Sequence, residues 1–515
     1  MDDHAGSAAA TDRSAEPSSE SPSLRRDRLG VTFIVFFVVA AAAPLVGTTG
    51  ALPGQIALGN GAAAPGAYVV AGLTLLLFSV GYIAMTAKVT NAGAFFAYVG
   101  RGLGVPIGVG SAFISTVAYF GVQLAVYGFL GTVVRDKMAD LLGVHQPWWF
   151  WSLVAWVLVL VLSLLQVDVG ARILGTLMLL ELLSLAIVSV AVLAKGGPEG
   201  VSLSASFSPG HVFAGGFAGS AGIALSFAFA SFIGFEATAI YGEETRDPKR
   251  NVPRATYAAV GVITLVFALS GFAVVSALGP GQVVEQVMNI SSVNGEPLGN
   301  PPAVLYSVTD HYVGTWLSSV MSWLVLSSVF ASVVALQNCA SRYLFAMGRA
   351  GVLPSALRRV NGRGAPDVAA ATTSAIGLAV ILLFAATGKD PVLDLFFPFG
   401  GLAVISIVLV EILVSIAVVV SFRRDGDGQP VWSTLVAPVL ATLGLGVALY
   451  LLISRFGLLA GTVPAGVDPT RTALTLSTEG WVLVLLPFVL LIAGSLVGRV
   501  QARSENAAAV ADFVS

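Results

Sequence analysis

Cysteine occurs once in the 515 residues, at Cys339, and histidine four times, at His4, His145, His211 and His311. A single cysteine excludes an intramolecular disulfide and any cysteine-based metal cluster. None of the histidines sits deep in an apolar run, which argues against haem or a metal-redox centre built on imidazole. Charge is scarcer still: Asp, Glu, Lys and Arg make up 10% of the chain, against roughly 25% in a soluble domain. No phosphate-binding glycine loop is present, so ATP is not a direct energy source. Neither is there a nucleophile–base pair or a metal-ligand constellation, and the basic residues are too dispersed for a nucleic-acid patch. The sequence therefore gives no reason to expect an enzyme, a cofactor or a nucleic-acid partner.

What is abundant is apolar length. Hydrophobic residues are 56% of the chain and the mean hydropathy is +0.88. Twelve runs are long enough to cross a bilayer core, which needs about 20 residues: 31–59, 66–87, 105–133, 147–166, 171–194, 213–242, 255–278, 314–341, 367–387, 393–421, 431–454 and 480–498. The expected fold class is an all-α polytopic membrane protein in contact with the lipid bilayer. Residues 1–29 read as a disordered polar tail and not as a cleaved signal, because no small-residue cleavage site follows a short apolar core. Residues 499–515 read as a second tail.

Lys and Arg set the orientation. With a cytoplasmic N-terminus, 20 of the 26 basic residues fall on the cytoplasmic side and six outside, at Arg135, Lys137, Lys195, Lys389, Arg455 and Arg471. Both termini are therefore expected in the cytoplasm of a multi-pass protein of the plasma membrane.

Two spans are interrupted. Span 1 contains Ala43–Gly54, APLVGTTGALPG, with two prolines and three glycines; span 6 contains SFIGFE, from Ser231 to Glu236. Pro removes a backbone donor and Gly loosens helical geometry, so both stretches are expected to unwind. Small residues also simply permit close packing, but unwound backbone at membrane depth must line a cavity or be buried in protein. Spans 1 and 6 open two successive sets of five, and interrupted helices at matching positions point to a transport site.

The segment following the second interruption, FIGFEATAIYGEETRDPKRNVPRA from Phe232 to Ala255, resembles the sixth-helix signature of the amino acid–polyamine–organocation transporter superfamily. Its matching residues are Gly234, Phe235, Glu236, Glu243, Glu244, Pro248, Arg250, Pro253, Arg254 and Ala255. NAGAFFAYVGRGLG (Asn91–Gly104) and SRYLFAMGRAGVLP (Ser341–Pro354) resemble two further segments of that family, so the resemblance covers roughly residues 30–425. It departs in helix one, where Val46-Gly47-Thr48-Thr49-Gly50-Ala51 replaces Gly-x-Gly-aliphatic-Phe, and at Ala350, where an acidic residue is common. The resemblance implies a LeuT-like five-plus-five inverted repeat, residues 30–195 and 212–421, with helices 11 and 12 at 430–498. It also implies a permease that moves an amino acid or related amine by alternating access.

On that reading, a substrate carboxylate is expected against Gly47, Thr48, Thr49 and Gly50, where small side chains admit the backbone. The amino group would face carbonyls around Ala230, Ser231, Ile233 and Gly234. Ser115, Tyr119, Trp323 and Phe397 are expected around the substrate side chain, although aromatic residues at such positions also serve as plain packing.

Glu181, Glu236 and Glu411 lie inside apolar spans with no Lys or Arg deep enough to pair with them. A carboxyl that takes a proton on one side and releases it on the other suits proton coupling. For Glu236, bracing the broken helices is an equal reading; Glu411 also suits a polar seam between helices. Ser327 and Ser328 could ligate sodium with helix-one carbonyls, or merely bond to their own backbone. Glu243 and Glu244 with Arg250, Arg254 and Arg342 suit a cytoplasmic gate or, more simply, solvated loop charge. An exchanger of amino acids or amines is the alternative to proton-coupled uptake. A transport-dead receptor on the same fold is a further rival, disfavoured by the shortness of the tails.

Overall fold

In a computed structural model of the chain, the described residues are 30–503, apart from 87, 90–94, 166, 241–243, 294, 296–297 and 427; the side chains of 167–174 and 239 are also left out. The described residues fold as helices and loops, without a strand.

Twelve principal helices follow the apolar runs. They are α1 (Val31–Leu58), α2 (Gly61–Thr86), α3 (Val105–Leu142), α4 (Trp148–Leu164), α5 (Val167–Lys195), α6 (Ser220–Thr238), α7 (Pro248–Leu278), α8 (Thr315–Arg349), α9 (Asp367–Thr387), α10 (Pro391–Asp425), α11 (Trp432–Ser454) and α12 (Thr478–Gln501). Eleven are long and apolar enough to cross a membrane, and α4 is a shorter apolar helix.

Several boundaries differ from the reading of the sequence: α7 starts at Pro248 instead of 255, α8 runs on to Arg349 instead of ending at 341, and α3 and α6 also shift. α3 continues past residue 133 to Leu142, carrying Arg135 and Lys137 on helix instead of loop, until Gly143 turns left-handed at φ 64°. Its 38 residues span about 57 Å at 1.5 Å per residue, beyond a bilayer core of about 30 Å. α6 starts at Ser220, later than 213, because Gly215 and Gly216 adopt positive φ and hold residues 213–219 in turns.

Small residues bring the helices together, as expected where lipid removes the hydrophobic incentive for helix association. A Cβ on Gly494 of α12 would come within 2.8 Å of Gly110 Cα on α3, so the two backbones are nearly in contact. Two short helices, Val283–Ile290 and Pro302–Tyr312, pack over the Gly47–Leu58 half of α1.

Polar side chains pin the bundle at two further places. Gln123 of α3 donates to Gln337 of α8, which donates in turn to Ala370 O at 3.0 Å and Ser374 Oγ at 2.9 Å on α9. Arg455, expected on the outer side, is only 2% exposed at the end of α11. Its guanidinium donates to the carbonyls of Ala218, just before α6, and of Thr470.

Candidate functional site

The interruption of α1 falls at Ala43. A residue preceding proline is pushed out of the right-handed helical region, and Ala43 adopts φ 44°, ψ 67° before Pro44. Ala43 N–H closes the first segment on Val39 O and Ala40 O, and Pro44 opens the second as its first helical residue. The second segment then runs without a gap through a π-helical turn, Gly47–Ala51, into Leu52–Leu58.

This corrects the expectation for helix one: Gly47, Thr48, Thr49 and Gly50 are helical, not unwound. Gly47 N–H is bonded to Ala43 O at 3.0 Å. Thr48 and Thr49 hydroxyls are turned back on Pro44 O and Leu45 O at 2.8 and 2.7 Å. The wide turn makes room for Pro53, whose ring would otherwise meet the carbonyl four residues before it.

Groups freed by the break find partners on other helices. Leu45 N–H, an orphan of the new first turn, donates to Glu181 Oε1 of α5 at 2.6 Å. Ala41 O accepts from Ser332 Oγ of α8 at 3.1 Å. Glu181 also lines a narrow cleft with Ala40, Leu177, Met178, Ser327 and Ser328, so the serine pair and the α5 carboxyl share one place. Ser327 Oγ is itself turned onto Leu324 O at 2.9 Å. Among the described residues no group of three His, Cys, Asp or Glu gathers that could hold a metal ion.

The interruption of α6 falls where the sequence places it. Regular helix ends at Ala230, Ser231–Gly234 form turns, and a tight 3-10 segment follows over Phe235–Ala239. Ser231 N–H still bonds back to Phe227 O and Ala228 O and Phe232 N–H to Phe229 O, which leaves Ile233 and Gly234 to make the bend. Gly234 supplies the bend with φ 108°, and a Cβ there would lie 2.8 Å from Ala41 Cβ. The two interruptions therefore touch, and only glycine fits between them.

Glu236 holds this junction from inside. Its Oε2 accepts from Gly234 N–H at 2.8 Å and its Oε1 from Tyr119 OH of α3 at 3.1 Å. Tyr82 OH of α2 donates to the Glu236 carbonyl at 2.8 Å. Glu236, Tyr119 and Tyr82 are each at most 1% exposed. Tyr82 went unnoticed in the sequence, where only its place within an apolar span hinted at a polar task.

Ser115 lies one turn before Tyr119 on the same face of α3 and is fully buried. The other two aromatic candidates lie elsewhere. Trp323 is 51% exposed and stacks under Lys137 Nζ at 5.2 Å, and Lys137 is about 27 Å along α3 from Tyr119. Phe397 is 39% exposed near the start of α10, edge-on to Phe396.

Glu411 of α10 is 1% exposed. It lines a second narrow cleft, beside the α6 interruption, with Phe229, Phe232, Phe235, Ile407 and Val408 among its walls.

At the end of the bundle where α8 finishes, Arg342 meets Glu244 through Nε at 2.6 Å and Nη2 at 3.1 Å. Both are buried, at 2% and 8% exposure, and Arg342 Nη1 also donates to Asn338 O. Arg250 and Arg254 are exposed. Glu243 lies outside the described residues.

Two interrupted helices in contact, with Glu236 buried at their junction, two further buried carboxyls on α5 and α10, and a buried ion pair at one end make up the arrangement. Comparison with known proteins identifies the family. The sequence profile of the amino acid permease family matches residues 35–497. Branched-chain amino acid permease BcaP of Lactococcus lactis is 26% identical, covering 76% of this chain and 82% of its own. Histidine permease HisP of the same organism is 26% identical over 45% of this chain and 48% of its own length. The large neutral amino acids transporter small subunit 2 of Mus musculus is 23% identical over 43% and 38%. With a family profile spanning nearly all of its helices, this chain belongs to the amino acid permease family.

Proposed function

We propose that the chain carries an amino acid or related organic amine across the plasma membrane by alternating access, driven by protons, with both termini in the cytoplasm. The observation that carries this reading is the junction of the two interrupted helices, where Glu236 binds Gly234 N–H and Tyr119 OH at once. A carboxyl that bonds to the backbone of a break and to a neighbouring helix changes its partners when it gains or loses a proton. Glu236 is thereby both hinge brace and proton site, with Glu181 and Glu411 as further proton candidates.

Residues 30–195 and 212–421 act as two repeats hinged at Ala43 and Ser231–Gly234. Substrate binds beside Ile233 and Gly234, on a site bounded by Ser115 and Tyr119. The Glu244–Arg342 pair closes the cytoplasmic end and separates when that end opens. The basic residues concentrated in the loops on that side support the orientation.

The test is uptake by the purified chain in proteoliposomes. A labelled amino acid should accumulate when an inward proton gradient is imposed. Equal counterflow with and without the gradient would establish exchange instead. Binding without any flux across a panel of amino acids and amines would support a receptor.

A further inference from the structure

The three carboxyls buried within the apolar spans, Glu181, Glu236 and Glu411, are not equally satisfied. Glu236 has both oxygens engaged, and Glu181 receives the Leu45 N–H. Glu411 Oε1 is buried without a hydrogen-bond partner. Buried polar atoms are nearly always bonded, so an exception calls for an explanation. Here the oxygen belongs to a side chain that lines a cleft between α2, α6 and α10, and three of the other walls are the phenyl rings of Phe229, Phe232 and Phe235.

These walls define the chemistry that would complete the site. A carboxylate oxygen asks for an N–H donor and is best met by a cationic one. Phenyl faces attract an organic cation and refuse an anion. Ile407 and Val408 offer apolar surface and no hydrogen bond. A free carboxylate ligand would bring like charge towards Glu411, and a neutral alcohol would leave the rings without their cation. Phe229 and Phe235 flank the Ser231–Gly234 turn and Phe232 lies within it, so an occupant would press directly on the α6 interruption.

We propose that this cleft is a substrate subsite for an ammonium group carried on an apolar body, and that Glu411 is the residue that selects for the ammonium. The proposal rests on the reading of the α6 interruption as the substrate-binding segment. The cleft is narrow as it stands, so occupation requires the turn to shift, which links recognition at Glu411 to movement of α6.

The test uses the purified full-length chain and two isosteric probes, 3-methylbutylamine and 3-methylbutan-1-ol. The amine should raise the thermal unfolding midpoint in a saturable way, and the alcohol should not. Glu411→Gln should require at least tenfold more amine for the same shift, with Glu411→Asp retaining most of the effect. Phe232→Leu keeps the wall apolar but removes a ring, and should weaken the amine effect while leaving the alcohol inert. Equal action of amine and alcohol on the unsubstituted chain overturns the proposal whether or not the variants fold. So does an undiminished amine effect in Glu411→Gln. Amine stabilisation without uptake of any amino acid would preserve the subsite and sink the transport reading; uptake without amine preference would do the reverse.

Discussion

Replacing Glu236 separates its two tasks, because glutamine can keep the brace while carrying no proton. Glu236 accepts Gly234 N–H at 2.8 Å and Tyr119 OH at 3.1 Å. In Glu236→Gln the amide oxygen can take the Gly234 N–H, and the amide nitrogen can donate to Tyr119, whose hydroxyl accepts as readily as it donates. The loss is then the difference between charge-assisted and neutral bonds, about 1–2 kcal/mol over the two. In Glu236→Ala both buried donors lose their acceptor, at roughly 1–3 kcal/mol each, or about 2–6 kcal/mol together. Thermal unfolding in detergent, counterflow and gradient-driven uptake in proteoliposomes should be measured for all three chains. The glutamine variant should unfold near the unsubstituted chain, retain counterflow and lose gradient-driven accumulation; the alanine variant should be strongly destabilised. Undiminished gradient-driven uptake in Glu236→Gln would refute proton carriage by this residue. Destabilisation as large as that of alanine would refute the exchange of donor and acceptor roles at Tyr119.

Two further substitutions probe the surrounding frame. Gly234→Ala forces a side chain into φ 108° and places its Cβ 2.8 Å from Ala41 Cβ, so about 2–4 kcal/mol of stability should be lost, read as a lowered unfolding midpoint. Arg342→Met leaves the Glu244 carboxylate buried without its cation, a loss of about 3–5 kcal/mol that the added Glu244→Met should largely restore. If the pair is a gate, thiol labelling of Asn338→Cys in a Cys339→Ser background should rise when Arg342 is replaced. Unchanged labelling would leave the pair a plain structural bridge.

The α6 interruption was legible because Gly234 and Glu236 sit two residues apart in an otherwise apolar run, where neither an unconstrained glycine nor an unsatisfied acid is expected. The α1 interruption was legible as to helix but not as to residue. Glycine permits unwinding without demanding it, whereas Pro44 imposes a conformation on Ala43, and the break follows the stronger constraint. Gly47–Gly50 absorb only the strain of Pro53, by widening a turn. Trp323 and Phe397 show the limit of position in a span as a guide, since an aromatic residue on a membrane helix faces lipid as comfortably as a cavity.

By itself the sequence determined the number and order of the membrane helices and the two helices that bend. Hydropathy acts along the chain, and a span of about 20 apolar residues has no better place than a bilayer. Only the tertiary structure decided which polar groups meet: Glu181 with Leu45 N–H, Glu236 with Tyr119 and Tyr82, Glu244 with Arg342, and Arg455 with the carbonyls of Ala218 and Thr470. These partners are far apart in sequence apart from Arg455 and Thr470. Their meeting depends on how helices rotate and cross, which small residues such as Gly110 and Gly494 set through backbone contact.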